Sequence, residues 1–233
     1  MRKRIFYRLF TDRTICPSSL AKEDFIKTFA KKKSDRSCIV IHNPIPDRYT
    51  YKSQVRSSDK IIISYLGRLD PSKGVSELLK AFIKYNKQTE TKIQLRIAGM
   101  GVLFNQVTDF LKENATIKYF GAIPYNEVDE YIQSSDYIIV PSLCDNLPTV
   151  ALESLMNGVP VLLSTRTGLS DLLKDGEVGF IFSPTESGFL EVFERVEKSN
   201  YDSFLFSQNA RKIYVEQFSL KNYFINMMHL LED

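Results

Sequence analysis

Four charged side chains have the types and spacing to work on one ligand. Asp145 and Glu153 lie eight positions apart in PSLCDNLPTVALESLMNGVP, residues 141–160. Arg68 and Lys73 lie in GRLDPSKG, residues 67–74. A carboxylate can accept two hydroxyls at once, so a vicinal diol is a natural partner for Glu153. Arginine grips phosphate oxygens with two parallel donors, and lysine supplies a movable point charge. Together they suit a diphosphate, whose charge grows as a leaving group departs. A helix start between the two acids offers free amides and a partial positive charge to an anion. A diol, a diphosphate and a second polyol make up a nucleotide sugar. Taken alone, the acids are better explained as a solvated glutamate and a capping aspartate, and GRLDPSKG serves equally as a solvated loop. The order of the whole chain shifts that balance.

The elements that must position these residues are readable. The 141–160 stretch begins where the apolar run Tyr137–Val140 stops and ends where another, 159–163, begins. Between them the signals are those of one short helix. Asn146 is a good cap, Pro148 suits the first turn, Gly158 suits a left-handed C-terminal position, and Pro160 blocks continuation. Glu153 falls among Val150, Ala151, Leu152, Leu155 and Met156, where a charge is costly unless paired. Strand, loop, helix and strand form a βαβ unit, and such sheets bind ligands beyond the C-terminal ends of their strands.

The same alternation fills most of the chain. Strands are expected at Ile61–Leu66, 92–98, 116–120, Tyr137–Val140, 159–163 and Gly179–Phe182. Helices are expected at 75–85, 103–113, 126–134 and 169–174, with two or three more from 187 to 233. About six strands alternating with helices predict an α/β fold, a Rossmann-like doubly wound parallel sheet covered on both faces. Three further loops follow strand ends. Gly99 and Gly101 in IAGMG allow a ligand close to the backbone, or simply an ordinary turn. FGAIP, with Ile123 and Pro124, offers an apolar wall to a flat base or a sharp strand-to-helix turn. STRTG, residues 164–168, could line the same cleft.

Composition sets bounds. A 233-residue chain that is 43% hydrophobic can build a substantial core. A net charge of +3, with Lys and Arg interleaved among Asp and Glu, does not favour nucleic acid. Cysteines at 16, 38 and 144 are too few and scattered for a disulfide framework or a zinc site, and fit a reducing, cytoplasmic compartment. His42 and His229 are isolated and suit surface roles. There is no DxD pair to hold magnesium on a diphosphate, so no metal is expected. No apolar run approaches the roughly 18 residues of a spanning helix.

The opening is less regular. MRKRIFYRLFTDR reads as an amphipathic helix on a protein surface, or as one lying on an anionic membrane. The first reading is favoured, because membrane-surface anchors are usually longer. Ser18 or Ser19 can cap a following helix that Lys31 to Lys33 end, residues 38–41 form a short strand, and HNPIP is a turn. Residues 49–60 are polar and read as a linker.

In this order, GRLDPSKG, IAGMG, FGAIP and PSLCDNLPTVALE resemble the C-terminal, donor-binding half of a GT-B fold glycosyltransferase. The nearest class is the large retaining family 4, which includes capsule and lipopolysaccharide hexosyltransferases. The resemblance implies that Gly67, Arg68 and Lys73 form the donor-diphosphate loop. It implies that Glu153 binds ribose hydroxyls and that Asp145 faces the donor sugar, where the family more often has glutamate. Asn146, Leu147, Thr149 and Val150 would meet phosphate or sugar, with Pro148 removing one amide where many members have glycine. Gly99, Gly101, Ile123 and Pro124 would surround the base of a UDP- or GDP-type donor.

Family members usually carry an N-terminal acceptor domain of similar size. Residues 1–57 resemble only the tail of that domain plus a linker, and 58–233 the nucleotide-sugar-binding domain with its closing helices. The implied reaction is hexose transfer to an acceptor glycan or glycolipid, without a cofactor. The acceptor would be supplied by a missing or separate N-terminal domain, and the chain alone would transfer poorly. The alternatives are a non-catalytic nucleotide-sugar-binding subunit and, last, a nucleotide-sugar epimerase. The implied place is the cytoplasm, with peripheral contact at the inner face of a membrane.

Overall fold

The structure, a computed structural model, describes residues 13–29, 38–50, 59–198 and 203–232. Its centre is a six-stranded parallel sheet. The strands are β3 (Ile61–Leu66), β4 (Ile93–Ala98), β5 (Ile117–Tyr119), β6 (Tyr137–Val140), β7 (Val161–Ser164) and β8 (Gly179–Phe182). They lie in the order β5-β4-β3-β6-β7-β8. The chain builds outward from β3 on one side, then returns to build outward on the other. The point of reversal lies between β3 and β6, where Ile63 and Ser64 pair with Tyr137 and Ile138. In sheets of this kind the crevice beyond that reversal is where ligands bind.

The apolar runs form strands because both faces are covered. Side chains alternate across a strand. Thus Ile139, Leu162 and Phe180 face one core, while Ile138, Val140, Val161 and Leu163 face the other. The first core is closed by α2 (Val75–Gln88) and α6 (Glu186–Lys198). There Phe82 meets Phe193 edge-on at 5.5 Å and Phe182 lies 5.0 Å from Phe189. Each fully buried aromatic contributes about 1.5–3 kcal/mol by leaving water. The second core is closed by α4 (Val128–Gln133), α5 (Thr149–Met156) and the C-terminal region. α3 (Phe104–Glu113) packs outside β4 and β5.

Before the sheet, β1 (Thr14–Cys16) pairs in parallel with β2 (Cys38–Val40), with α1 (Ser19–Phe29) between them in sequence. Ser18 caps α1, its hydroxyl accepting from the Ala21 amide at 3.1 Å. After the sheet come α7 (Ser203–Ile213), a π-helical turn at Tyr214–Phe218, and α8 (Leu220–Glu232). The segment 41–50 is strapped onto this end. Ile45 N–H donates to Phe218 at 3.1 Å, Tyr214 OH donates to the Ile45 carbonyl at 2.9 Å, and Arg211 pairs with Asp47.

Several expectations change. Residues 169–174 form turns rather than a helix. Leu169 and Leu173 are buried there, which a chain of successive turns achieves as well as a helix would. α5 starts at Thr149 with Pro148 in the cap position, and no side chain caps it, so Asn146 does not serve that role. Gly158 does take the left-handed conformation after α5, with φ 67°. β1 was not foreseen, because three residues pairing with a strand two dozen positions away leave no local pattern. His42 is half-buried rather than a surface group. Its ring contacts the Pro17 carbonyl at 2.9 Å and Phe218 at 5.4 Å, joining the β1 and π-helical segments. Residues 1–12, Lys31 to Lys33 and most of the expected linker lie outside the described residues.

Candidate donor-binding site

Every parallel strand ends at the same edge, and the loops that leave it are tied together. Gly67 N–H donates to the Ala98 carbonyl at 3.1 Å, and Leu69 N–H to Met100 at 2.9 Å. Gly99 N–H donates to Gly121 at 2.7 Å. On the other side of the reversal, Leu143 N–H donates to the Ser72 carbonyl at 2.9 Å. The loop after β3 therefore lies directly against the loop after β6.

Within the first loop, Asp70 caps a short 3-10 turn at Pro71–Lys73, accepting from the Ser72 amide at 3.0 Å and its hydroxyl at 2.7 Å. These bonds, the hydroxyl's first, hold the Asp70 carboxyl below its ordinary range. The turn ends on Gly74 at φ 69°, where a side chain's Cβ would stand 2.1 Å from the Pro141 carbonyl oxygen. Glycine is required there both by conformation and by the approach of the second loop. Arg68 is exposed and makes no ion pair among the described residues. Its carbonyl accepts from the buried Tyr65 hydroxyl at 2.5 Å.

The two loops bring two predicted residues into contact. Lys73 Nζ donates to Asp145 Oδ2 at 2.5 Å, with both side chains partly covered. The Asp145 backbone is held from both directions. Its N–H donates to Arg166 at 3.1 Å, and its carbonyl accepts from Gly168 at 2.8 Å. STRTG thus lines this edge as expected, and fixes the acid rather than standing apart from it.

Leu147, Thr149 and Val150 surround the uncapped start of α5, where helix amides are left to an outside acceptor. Asn146 and Thr149 are exposed. Ile123 and Pro124 follow β5 at the same edge, Ile123 packing on the second core. Gly99 and Gly101 have a nearer use than ligand approach. A Cβ on either would fall within about 2 Å of the Gly67 or Leu69 carbonyl oxygen, 1.8 and 2.3 Å, so these glycines let two loops pack.

Glu153 sits on α5, half-buried, and is not alone. Arg48 Nη2 donates to its Oε1 at 3.3 Å. Burial pushes the Glu153 carboxyl up, Arg48 opposes that, and Asp129 adds to it. Arg48 also spans both oxygens of Asp129, at 2.9 and 3.2 Å, and reaches Tyr125 OH at 2.8 Å. These pairings hold Arg48 more firmly protonated than usual, Asp129 most of all. Sequence reasoning missed Arg48, Asp129 and Tyr125. Their partners are 77 to 105 positions apart, and the only local signal was an arginine just past a proline-rich turn.

Comparison with known proteins agrees with this arrangement. The family model described as glycosyl transferases group 1 matches residues 47–213, well over half of the chain. The chain belongs to that family. Among relatives of this group 1 chain, an uncharacterized glycosyltransferase of Methanocaldococcus jannaschii is 24% identical over 183 residues, 76% of this chain and 48% of that protein. The capsular polysaccharide biosynthesis glycosyltransferase CapM of Staphylococcus aureus is 24% identical over 216 residues, 88% of this chain and 54% of that protein. The group 1 chain thus spans about half the length of these relatives.

Its fold is shared with Anabaena HepE solved with UDP, at a TM-score of 0.82 and 17% identity over 99% of this chain and 66% of that one. It is also shared with sucrose-phosphate synthase of Thermosynechococcus elongatus, at 0.78 and 19%, over 94% of this chain and 57% of that one. The α/β sheet and GT-B half expected from the residues stand. Among the described residues no helix is long and apolar enough to cross a membrane.

Proposed function

We propose that this chain is the donor-binding half of a glycosyltransferase, and that it holds a nucleotide-diphosphosugar at the reversal point of its sheet. The observation that carries the reading is the meeting of Lys73 and Asp145 across the two loops that flank that point, 2.5 Å apart. A lysine and an aspartate already in contact can part company over a ligand: the cation to a diphosphate, the acid to sugar hydroxyls. Arg68, exposed on the same loop and without an ion pair among the described residues, adds a second cation. The open amides at the start of α5 add donors of their own. Glu153 would take the ribose diol.

In the complete enzyme a hexose would pass to an acceptor hydroxyl in polysaccharide or glycoconjugate synthesis, with retention of configuration. The names of CapM, and of HepE solved with UDP, support a nucleotide donor and that kind of product. Arg68 and Lys73 would stabilise the departing diphosphate in place of a metal. The acceptor would be presented from outside residues 58–233. This half alone would bind donor while transferring slowly, because transfer needs both substrates in a closed, ordered site. Residues 1–13 would contribute any contact with the inner face of a membrane.

The test is calorimetry of the chain with UDP, GDP and ADP and their glucose conjugates, with and without EDTA. Saturable binding of one nucleotide, unchanged by EDTA, supports the reading. No binding of any of them removes it, and binding that EDTA abolishes removes the metal-free part. A turnover assay completes the test: brisk transfer by this chain alone would refute the half-enzyme reading. Activity gained only with a second chain would favour a subunit that needs a partner.

A further inference from the structure

We infer that Arg48 is a positioning residue for the ribose site, committing one oxygen of Glu153 while leaving the other to accept ribose hydroxyls. The inference rests on the donor-site reading and goes one residue beyond it.

The geometry separates anchoring from presentation. The guanidinium has five N–H donors in a rigid fork. Nε and Nη2 span the two Asp129 oxygens at 2.9 and 3.2 Å, which makes Asp129 the main counter-ion. Nη1 donates to Tyr125 OH at 2.8 Å, and the guanidinium carbon lies 4.9 Å from the centre of the Tyr125 ring. Asp129 is itself held, by Asn157 Nδ2 at 2.9 Å, and the same amide reaches the Glu153 carbonyl at 2.9 Å. The Arg48 amide contacts Met156 sulfur at 3.3 Å. The fork is thus fixed on three sides before Glu153 is considered.

What remains is the single Nη2 contact to Glu153 Oε1 at 3.3 Å. Oε2 accepts nothing from the described residues. A ligand reaching Oε2 therefore need not displace the arginine.

Chemistry makes this contact matter. A half-buried carboxylate without a cation tends to take up a proton. A protonated acid loses acceptor capacity and turns one oxygen into a donor, which serves a diol poorly. Asp129 works in that same direction on Glu153, and Arg48 opposes both, so that without it the carboxyl would stand higher still. A mere strut between residues 41–50 and α4 would need the Asp129 pair but not the reach to Glu153.

The experiment compares affinities, by calorimetry, for the tightest binder among UDP, GDP and ADP and for its 2′-deoxy counterpart. The wild-type chain should prefer the ribonucleotide by about tenfold or more, since a hydrogen bond to a charged group is worth about 1.5–3 kcal/mol. Arg48→Gln should cut that preference to less than threefold, chiefly by weakening the ribonucleotide, and Arg48→Lys should restore a substantial part of it. In a Glu153→Gln background, Arg48→Gln should change the preference no further. An undiminished preference in Arg48→Gln overturns the inference and leaves Arg48 a strut. If that variant does not fold, Asp129→Asn, which loosens the fork, is measured instead: an intermediate preference supports the inference and an unchanged one overturns it. A wild-type chain that binds no nucleotide, or binds both forms alike, fails at the donor-site reading itself.

Discussion

Replacing Gly74 by alanine should separate the two loops that carry Lys73 and Asp145. Two costs arise there. At φ 69° an L-residue bears the left-handed penalty, about 1–2 kcal/mol. Its Cβ would also stand 2.1 Å from the Pro141 oxygen. An ordinary carbon–oxygen contact is about 3.3–3.6 Å, so the loops must part by about 1.2 Å. That movement strains or breaks the Leu143–Ser72 backbone hydrogen bond, 2.9 Å long, with a cost of about 0.5–1.5 kcal/mol. Overpacking adds about 1–3 kcal/mol.

The sum is about 2.5–6.5 kcal/mol lost on Gly74→Ala, a large share of a domain's usual stability. Gly176→Ala is the control. Its φ is 83° but nothing lies within 4 Å of the added carbon, so only the conformational cost of about 1–2 kcal/mol should appear. Urea unfolding of both variants measures the difference through their midpoints, provided the slopes agree. Equal losses would refute the reasoning, because they would mean that the Pro141 loop yields freely. Gly74→Ala should also weaken nucleotide binding, and Gly176→Ala should not.

The remaining predictions are shorter. Lys73→Ala and Arg68→Ala should each weaken a nucleoside diphosphate by about tenfold to a hundredfold, the worth of a charge-assisted hydrogen bond. The parent nucleoside should bind as before, and calorimetry with both ligands decides. Glu153→Gln should weaken the nucleotide yet stabilise the fold at neutral pH. The sign follows from the raised carboxyl: the native state keeps the proton where the unfolded chain has lost it, so the glutamate's penalty grows as pH rises through that range. The gain should vanish below the ordinary carboxylate range, where both states are protonated. Chemical unfolding at pH 7.5 and at low pH checks this, and a gain of equal size at both would count against it.

The sheet was legible because burial on both faces turns each strand into an uninterrupted apolar run. Ile61–Leu66, Tyr137–Val140 and Gly179–Phe182 appear with the bounds that such runs suggest. Arg68, Lys73 and Asp145 were legible because they lie in loops whose glycines and prolines mark strand ends, and Glu153 because it is a lone charge among the apolar residues of α5. What the residues could not convey was pairing across the fold. The crossover that pairs Ile63 with Tyr137, the contact of Gly74 with Pro141, and the reach of Arg48 to Asp129 and Glu153 depend on residues 67 to 105 positions apart. Asn146 misled for a related reason. Its side chain suits a cap in isolation, but its carbonyl comes within 2.0 Å of where a Gly168 Cβ would stand, and the helix begins three residues later. Gly99 and Gly101 fit either close ligand approach or an ordinary turn from sequence, and the loop packed against their missing side chains is visible only in the fold.

The ties between Gly67 and Ala98, Gly99 and Gly121, Leu143 and Ser72, and Asp145 and Arg166 carry the ladder of the sheet past the ends of its strands. A floor built this way is already set before anything settles on it, so little ordering entropy is forfeited on association. Its amide hydrogens at Gly99, Leu143 and Asp145 should exchange with deuterium as slowly in the empty protein as those of the strands beneath them. Diversification of what the cleft accepts would then proceed by exchanging the side chains that stand on the floor, with the floor itself left in place.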